Sequence, residues 1–192
     1  MRLPEITPDE LTDEQRTVYD ALRSGPRSSA TSNLAGRGLP GPYGVWVRAP
    51  AIGAPTQELG AAVRFRSGLA ENVKEAAICT VGAHYKAKFE FAAHERLALA
   101  AGVDQRHLDA LREGRPAEFR GPEAIAHSVA AELVESHRLS DETYAAALAE
   151  FGTEGVIELV TTVGYYCLIS LTLNAFEVPL PAEWDDPFEG TS

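Results

Sequence analysis

The chain has 192 residues, of which 45% are hydrophobic, and a formal net charge of −11. That length suits one domain with a full core, or one domain built from two similar halves. The acidic balance excludes a general binder of nucleic acid or anionic membrane, which needs a basic surface, and an anionic substrate would have to meet a local positive patch.

Thr12-Asp-Glu-Gln15 has the pattern of a capping box, which opens a short helix through Leu22 with Val18 and Leu22 four apart. Ser24 to Gly44 is rich in Gly, Ser and Pro. It reads as a surface loop, and its length equally suits a lid or binding segment. Tyr43, Trp46 and Arg48 follow. The two aromatic residues either anchor the loop to the core or line a pocket mouth, where Arg48 would hold a carboxylate bidentately.

Pro50 suits the first turn of a helix, which runs to about Ser67 with Leu59, Val63 and Phe65 facing inward. Asn72 is expected to cap a helix from Val73 to Ala83, with a break near His84 to Lys86. The next helix carries Phe89 to Ala101 and stops at Gly102, a suitable residue just beyond a helix end. Asp104 caps a short helix to Arg112. Ile125, Val129 and Leu133, four apart, place a helix over Glu123 to His137. Ser140-Asp-Glu-Thr starts another, ending at Gly152. The last helix, Glu154 to Phe176, is nearly apolar all round and is expected to be central. Pro179, Pro181 and an acidic tail follow.

Alternation of the strand type is absent and helical spacing recurs throughout, so the fold class is all-α. The organisation is a single domain: an N-terminal helix and long loop at 1–49, a helical core at 50–178 and a tail at 179–192. Thr80-Val-Gly-Ala-His84 faintly echoes Thr162-Val-Gly-Tyr-Tyr166, an internal pseudo-repeat of two halves.

Cys79 and Cys167 are far apart, with no CxxC and no zinc spacing. The first ten residues lack an apolar stretch of the signal-peptide type. A reduced, cytoplasmic protein is the plain expectation. The apolar run from Gly155 to Val178 is interrupted by Glu158, Asn174 and Glu177 and reads as a buried helix rather than a membrane span.

The chemistry is concentrated between Glu71 and Gly102. Glu90 and His94, four apart, share one face of a helix, beside Phe89, Phe91 and Leu97. A carboxylate and an imidazole among aromatic residues fit a buried proton-transfer site, and they equally fit a structural ion pair. Glu90, His94 and His84 are ligand types, but their spacing matches neither HExxH nor paired ExxH units, so no metal and no cofactor are expected.

These residues carry a resemblance. Glu75, then His84-Tyr85, then Phe89-Glu-Phe-Ala-Ala-His94-Glu, then Ala101-Gly102 resemble the carboxymuconolactone decarboxylase family, which shares a fold with the alkylhydroperoxidase D-like proteins. The likeness extends to Gly41–Pro50, Val156–Val160, Gly164–Tyr166 and Asn174–Pro181, nearly the whole chain. It implies an alkylhydroperoxidase D-like helical bundle and a homo-oligomer, commonly a trimer or hexamer. The peroxidase branch keeps two cysteines at the positions of Ala87 and Glu90, so the resemblance implies acid–base machinery without the thiol pair.

It further implies a cofactor-independent decarboxylase acting on a small carboxylated lactone or unsaturated acid. His94 would be the acid/base, Glu75 or Glu90 its partner and His84 a second donor. Tyr43, Trp46, Arg48, Tyr85 and Phe91 would contact substrate. The alternatives are an isomerase or cyclase of the same fold in biosynthesis, and a non-catalytic oligomeric binding protein.

Overall fold

In a computed structural model of the chain, residues 1–4, 6–24 and 39–190 are described. They form helices and turns, with no strand among them. Most of the Ser24 to Gly44 loop, and with it the lid reading, lies outside the described residues. A 3-10 turn at Pro8–Glu10 precedes α1 (Asp13–Ser24). Next come α2 (Tyr43–Trp46), α3 (Pro50–Phe65), α4 (Glu71–His84), α5 (Lys88–Ala100), α6 (Gln105–Arg112), α7 (Gly121–Glu135) and α8 (Asp141–Ala175).

Local chemistry sets several of the boundaries. Thr12 and Gln15 exchange the two bonds of a capping box. The Asp104 side chain accepts from the Arg106 amide, and Ser140 accepts from the Thr143 amide. Gly102, at φ 93°, ends α5 while its own amide bonds Leu99 O and the Val103 amide bonds Ala98 O. α8 is broken at Gly152, whose φ of 66° and ψ of 178° are open to glycine and costly to other residues. Asn72 does not cap α4. That place falls to Ala70, and the Asn72 amide instead donates to Glu123 Oε1 at 2.7 Å, tying α4 to α7.

The inward face of α3 also differs from expectation. Val63 is buried, but Leu59 and Phe65 are exposed. Gly53 and Gly60 face inward with Val63 instead. A Cβ at Gly53 would stand 2.2 Å from Trp46 O, so only glycine lets α3 lie this close to α2.

α4 is the centre of the molecule. Every residue from Val73 to Gly82 is buried. One side of the helix gives Val73, Ala77, Ile78 and Val81 to a core shared with α7 and α8. The other gives Ala76 and Cys79 to a second core with Phe91, Leu108, Phe119 and Phe188.

The last helix is not central in the way its composition suggests. Leu159, Val163, Tyr166 and Ile169 are buried, while Ile157, Val160, Leu168 and Leu171 are exposed. α8 is long and apolar enough to cross a membrane by length and composition, and half of that stretch is buried inside the protein, consistent with a core helix. The acidic tail is docked: Trp184 lies against Phe89 and under Arg96, and Phe188 packs on Phe91. In both halves of the Thr-Val-Gly echo the threonine hydroxyl bonds the carbonyl four residues back.

Candidate active site

A carboxylate in the middle of an apolar helix is costly to bury unless a positive group meets it. Glu75 is fully buried among Ala76, Ala77 and Ile78 of α4, and it is met from both sides. The last turn of α3 supplies Arg64, whose Nη1 lies 2.6 Å from Glu75 Oε1. The second turn of α5 supplies His94, whose Nδ1 lies 2.6 Å from Glu75 Oε2. The other ring nitrogen, Nε2, stands 3.0 Å from Glu90 Oε1, one helical turn back on α5.

The row therefore runs Arg64, Glu75, His94, Glu90, alternating in sign and almost shut off from water. Tyr166 of α8 closes one side with its ring set edge-on to the imidazole at 4.9 Å. Lys74, itself buried, steadies the outer end: Nζ donates to Arg64 O at 3.0 Å and to Glu71 Oε1 at 2.7 Å.

The electrostatics follow from this row. Burial alone would push the His94 pKa down, but the charges of Glu75 and Glu90 outweigh it and carry the value up to about 9. His94 is thus an imidazolium at neutral pH, with a proton on each nitrogen. Burial likewise works to raise the Glu75 pKa, and His94 and Arg64 together bring it below the ordinary range.

The two ends of the imidazole differ. Glu75 has both oxygens engaged, by Arg64 and by His94. Glu90 Oε1 is near Nε2 but not in line with it, and this buried oxygen has no well-directed hydrogen bond. The Nδ1 side is a fixed anchor. The Nε2 side is the less firmly held of the two.

Of the residues expected at the site, Glu75, Glu90 and His94 come together. His84 does not join them by contact: it is exposed at the end of α4, its ring against Tyr85 at 5.0 Å. Tyr43 and Trp46 stack edge-on at 6.0 Å and reach the imidazole through two tyrosines, Trp46 to Tyr165 at 6.3 Å and Tyr165 to Tyr166 at 5.4 Å. Arg48 is a chain clasp, with Nε on Gly44 O at 3.1 Å and Nη2 on Pro4 O. The guanidinium that could have gripped a carboxylate is held by backbone carbonyls.

Tyr85 is half-buried, with its hydroxyl beside Cys167 and its carbonyl bonded by Asn174. Phe91 is fully enclosed in the second core, away from any surface a substrate can touch. Arg64 and Lys74 join the site without any motif to announce them, and Tyr166 joins it from Gly164–Tyr166, a stretch that carries part of the resemblance. The signal for the first is the Glu75 carboxylate itself, which inside Ala-Ala-Ile-Cys requires a cation from elsewhere. Among the described residues no group of three His, Cys, Asp or Glu side chains is placed to hold a metal ion.

No protein-family model matches the chain, and no curated protein matches it. Among solved structures it resembles an uncharacterized peroxidase-related protein from Ralstonia eutropha JMP134, described as an alkylhydroperoxidase AhpD core. The TM-score is 0.72 and the identity 14%, over 97% of this chain and 94% of that one. At that identity the likeness is one of architecture: the chain has the AhpD-like all-helical fold.

Proposed function

We propose that the protein is a cofactor-independent acid–base enzyme, and specifically a decarboxylase of a small carboxylated lactone or unsaturated acid. The observation that carries this reading is the lopsided imidazolium. His94 is anchored at Nδ1 by the Arg64–Glu75 pair and faces a poorly satisfied Glu90 at Nε2. In the reaction the C–COO⁻ bond breaks and its electron pair moves into the unsaturated lactone, releasing carbon dioxide. His94 Nε2 then gives its proton to carbon, and Glu90 relays a replacement from water. Glu75 holds the ring orientation and stabilises the imidazolium, the role of a fixed carboxylate behind a catalytic histidine. Arg48 and Phe91 have no place in this scheme, because their side chains are committed elsewhere.

The test is carbon dioxide release from a carboxymuconolactone-type acid by metal-free protein. His94→Gln should lower kcat by about 100-fold or more while the helical circular dichroism is retained. Full activity in that variant would remove His94 from the chemistry. A product of unchanged mass would point to an isomerase or cyclase on the same residues.

The likeness to a peroxidase-related protein supplies a second reading, thiol-based reduction of peroxide. Two observations weigh against it. Burial pushes the Cys79 thiol well above its ordinary pKa, and Glu75, Glu95 and Glu90 push it further. Cys167 is half-buried with its pKa also raised by burial. Neither favours a thiolate. Peroxide consumption that disappears in the Cys79→Ser, Cys167→Ser double variant would establish this second reading instead.

A cytoplasmic setting fits the two free cysteines. Self-association belongs to the same reading. Ile157, Thr161, Gly164, Leu168 and Leu171 are exposed at alternating spacings of four and three along α8, the spacing at which two like helices mesh. A second copy of the chain is the occupant this stripe suits, since Gly164 leaves room for the backbones to approach.

A further inference from the structure

A cleft where the α4–α5 turn meets the end of α8 is not used by the acid–base scheme. Its volume is about 480 Å³, and its apolar wall is Phe89, Leu173, Val178, Pro179 and Leu180. That volume and lining suit a small organic molecule.

Four charged side chains stand at its edge: Lys86, Lys88, Glu177 and Asp186. Three of these are already neutralised, Lys88 and Asp186 by each other and Glu177 by Arg2. Lys86 has no carboxylate partner among the described residues. The cleft therefore presents one uncompensated positive charge in a protein that is strongly acidic overall.

The backbone at Lys86 adds a second observation. Its φ is 47°, the left-handed region that a residue with a side chain enters at a cost. It closes α4 with its amide on Ala83 O, while the Ala87 amide bonds Gly82 O. Glycine is the usual occupant of such a place. Here the place is filled by a lysine, as similar helix-end positions are by His137 and Glu177 (φ 65° and 50°), and the turn fixes Lys86 at the cleft.

We infer that this cleft binds a small organic monoanion, with its carboxylate on the Lys86 ammonium and its apolar body against Phe89, Leu173 and Leu180. The single uncompensated ammonium offers a partner for one negative charge, because Lys88, Glu177 and Asp186 are already paired. The inference does not rest on the chemistry of His94, and the ligand need not be the substrate.

The probe is 4-phenylbutyrate, titrated into the intact protein and followed by calorimetry and by amide chemical shifts. Saturable binding is expected, with shifts confined to Lys86–Phe89 and Leu173–Leu180. Lys86→Met keeps a side chain at this backbone position and should weaken binding about tenfold or more. Lys86→Arg should bind as the wild type does, and the neutral amide of the same acid should bind as weakly as Lys86→Met binds the acid. Equal binding by Lys86→Met, or equal binding of the amide, overturns the anion site. Loss of binding in His94→Gln but not in Lys86→Met would place the anion at the imidazolium and overturn it as well.

Discussion

Two helices of the molecule invert what their compositions suggest. α4, Glu71–His84, carries Lys74, Glu75 and Thr80, yet it is enclosed for ten consecutive residues. The second arm of α8 is far more apolar, yet one of its sides, with Ile157 and Leu171, is left open. Position explains the first case. α4 is packed by α5, α7 and α8 and flanked by α3, so its polar side chains must be satisfied from those neighbours. Arg64 and His94 do this for Glu75, His127 for Thr80, and the carbonyl of Arg64 for Lys74, which Glu71 of α4 itself also meets. The second case is a helix with more apolar surface than one chain has elements to cover. Burial is decided by what surrounds a helix, and charge enters the centre when its partners are built in.

The sharpest way to break this comparison is to remove the charge at the centre. Glu75→Gln leaves Arg64 and the His94 imidazolium facing each other without a counter-ion. It should cost about 3–5 kcal/mol of unfolding free energy in urea. A loss below about 1 kcal/mol would mean that the row behaves like a surface pair.

A gentler perturbation is pH. The folded-state pKa of His94 is raised from the ordinary 6.5 to about 9. Folding therefore takes up a proton there, and the stabilisation is fully present below pH 6.5. It is lost as pH rises through about 9. The melting temperature should fall from neutral pH to about pH 10, and His94→Gln should flatten that part of the curve. If protonated His94 also donates the proton in catalysis, activity should fall through the same window. The smallest effect on the fold is expected at the open side of α8. Leu171→Ser should change the unfolding free energy of the dissociated chain, followed at low protein concentration, by no more than about 0.5 kcal/mol. Ile157→Glu with Leu171→Glu should lower the mass seen by light scattering while helical content is kept. An unchanged mass would leave the stripe without a second copy.

The amino-acid sequence is legible wherever the cause is local. Asp104, Ser140, Gly102 and Gly152 mark helix ends because their side chains or backbone freedom act within a few residues. Glu90 and His94 meet because four residues make one turn. Glu75 is paired with His94 only through the packing of α4 on α5, and the family resemblance, rather than spacing, singles it out. What is illegible depends on distance in the chain. Arg64 reaches Glu75 from a different helix, and Arg48 is taken by Pro4, which lies 44 residues earlier. His84, though near Glu90 in sequence, ends up exposed because it is the last residue of α4, past the buried run that stops at Gly82. The inward face of α3 escapes for a related reason. Its contact is made by glycines, which no count of apolar residues detects.

The docked tail has a consequence for how the molecule is made. α5, which holds Glu90 and His94, is fastened by Trp184 on Phe89, by Phe188 on Phe91 and by Asp186 on Lys88, a pair 98 residues apart. A ribosome delivers these residues long after α5 has emerged. Until then the flank of α5 that carries Lys88, Phe89 and Phe91 is bare, while the imidazole is held from the other side by Glu75 of α4 and Tyr166 of α8. The outer flank of α5 should be among the last parts of the protein to set, and a nascent chain halted before Trp184 should hold the charge row while Phe89 and Phe91 still lack their aromatic partners.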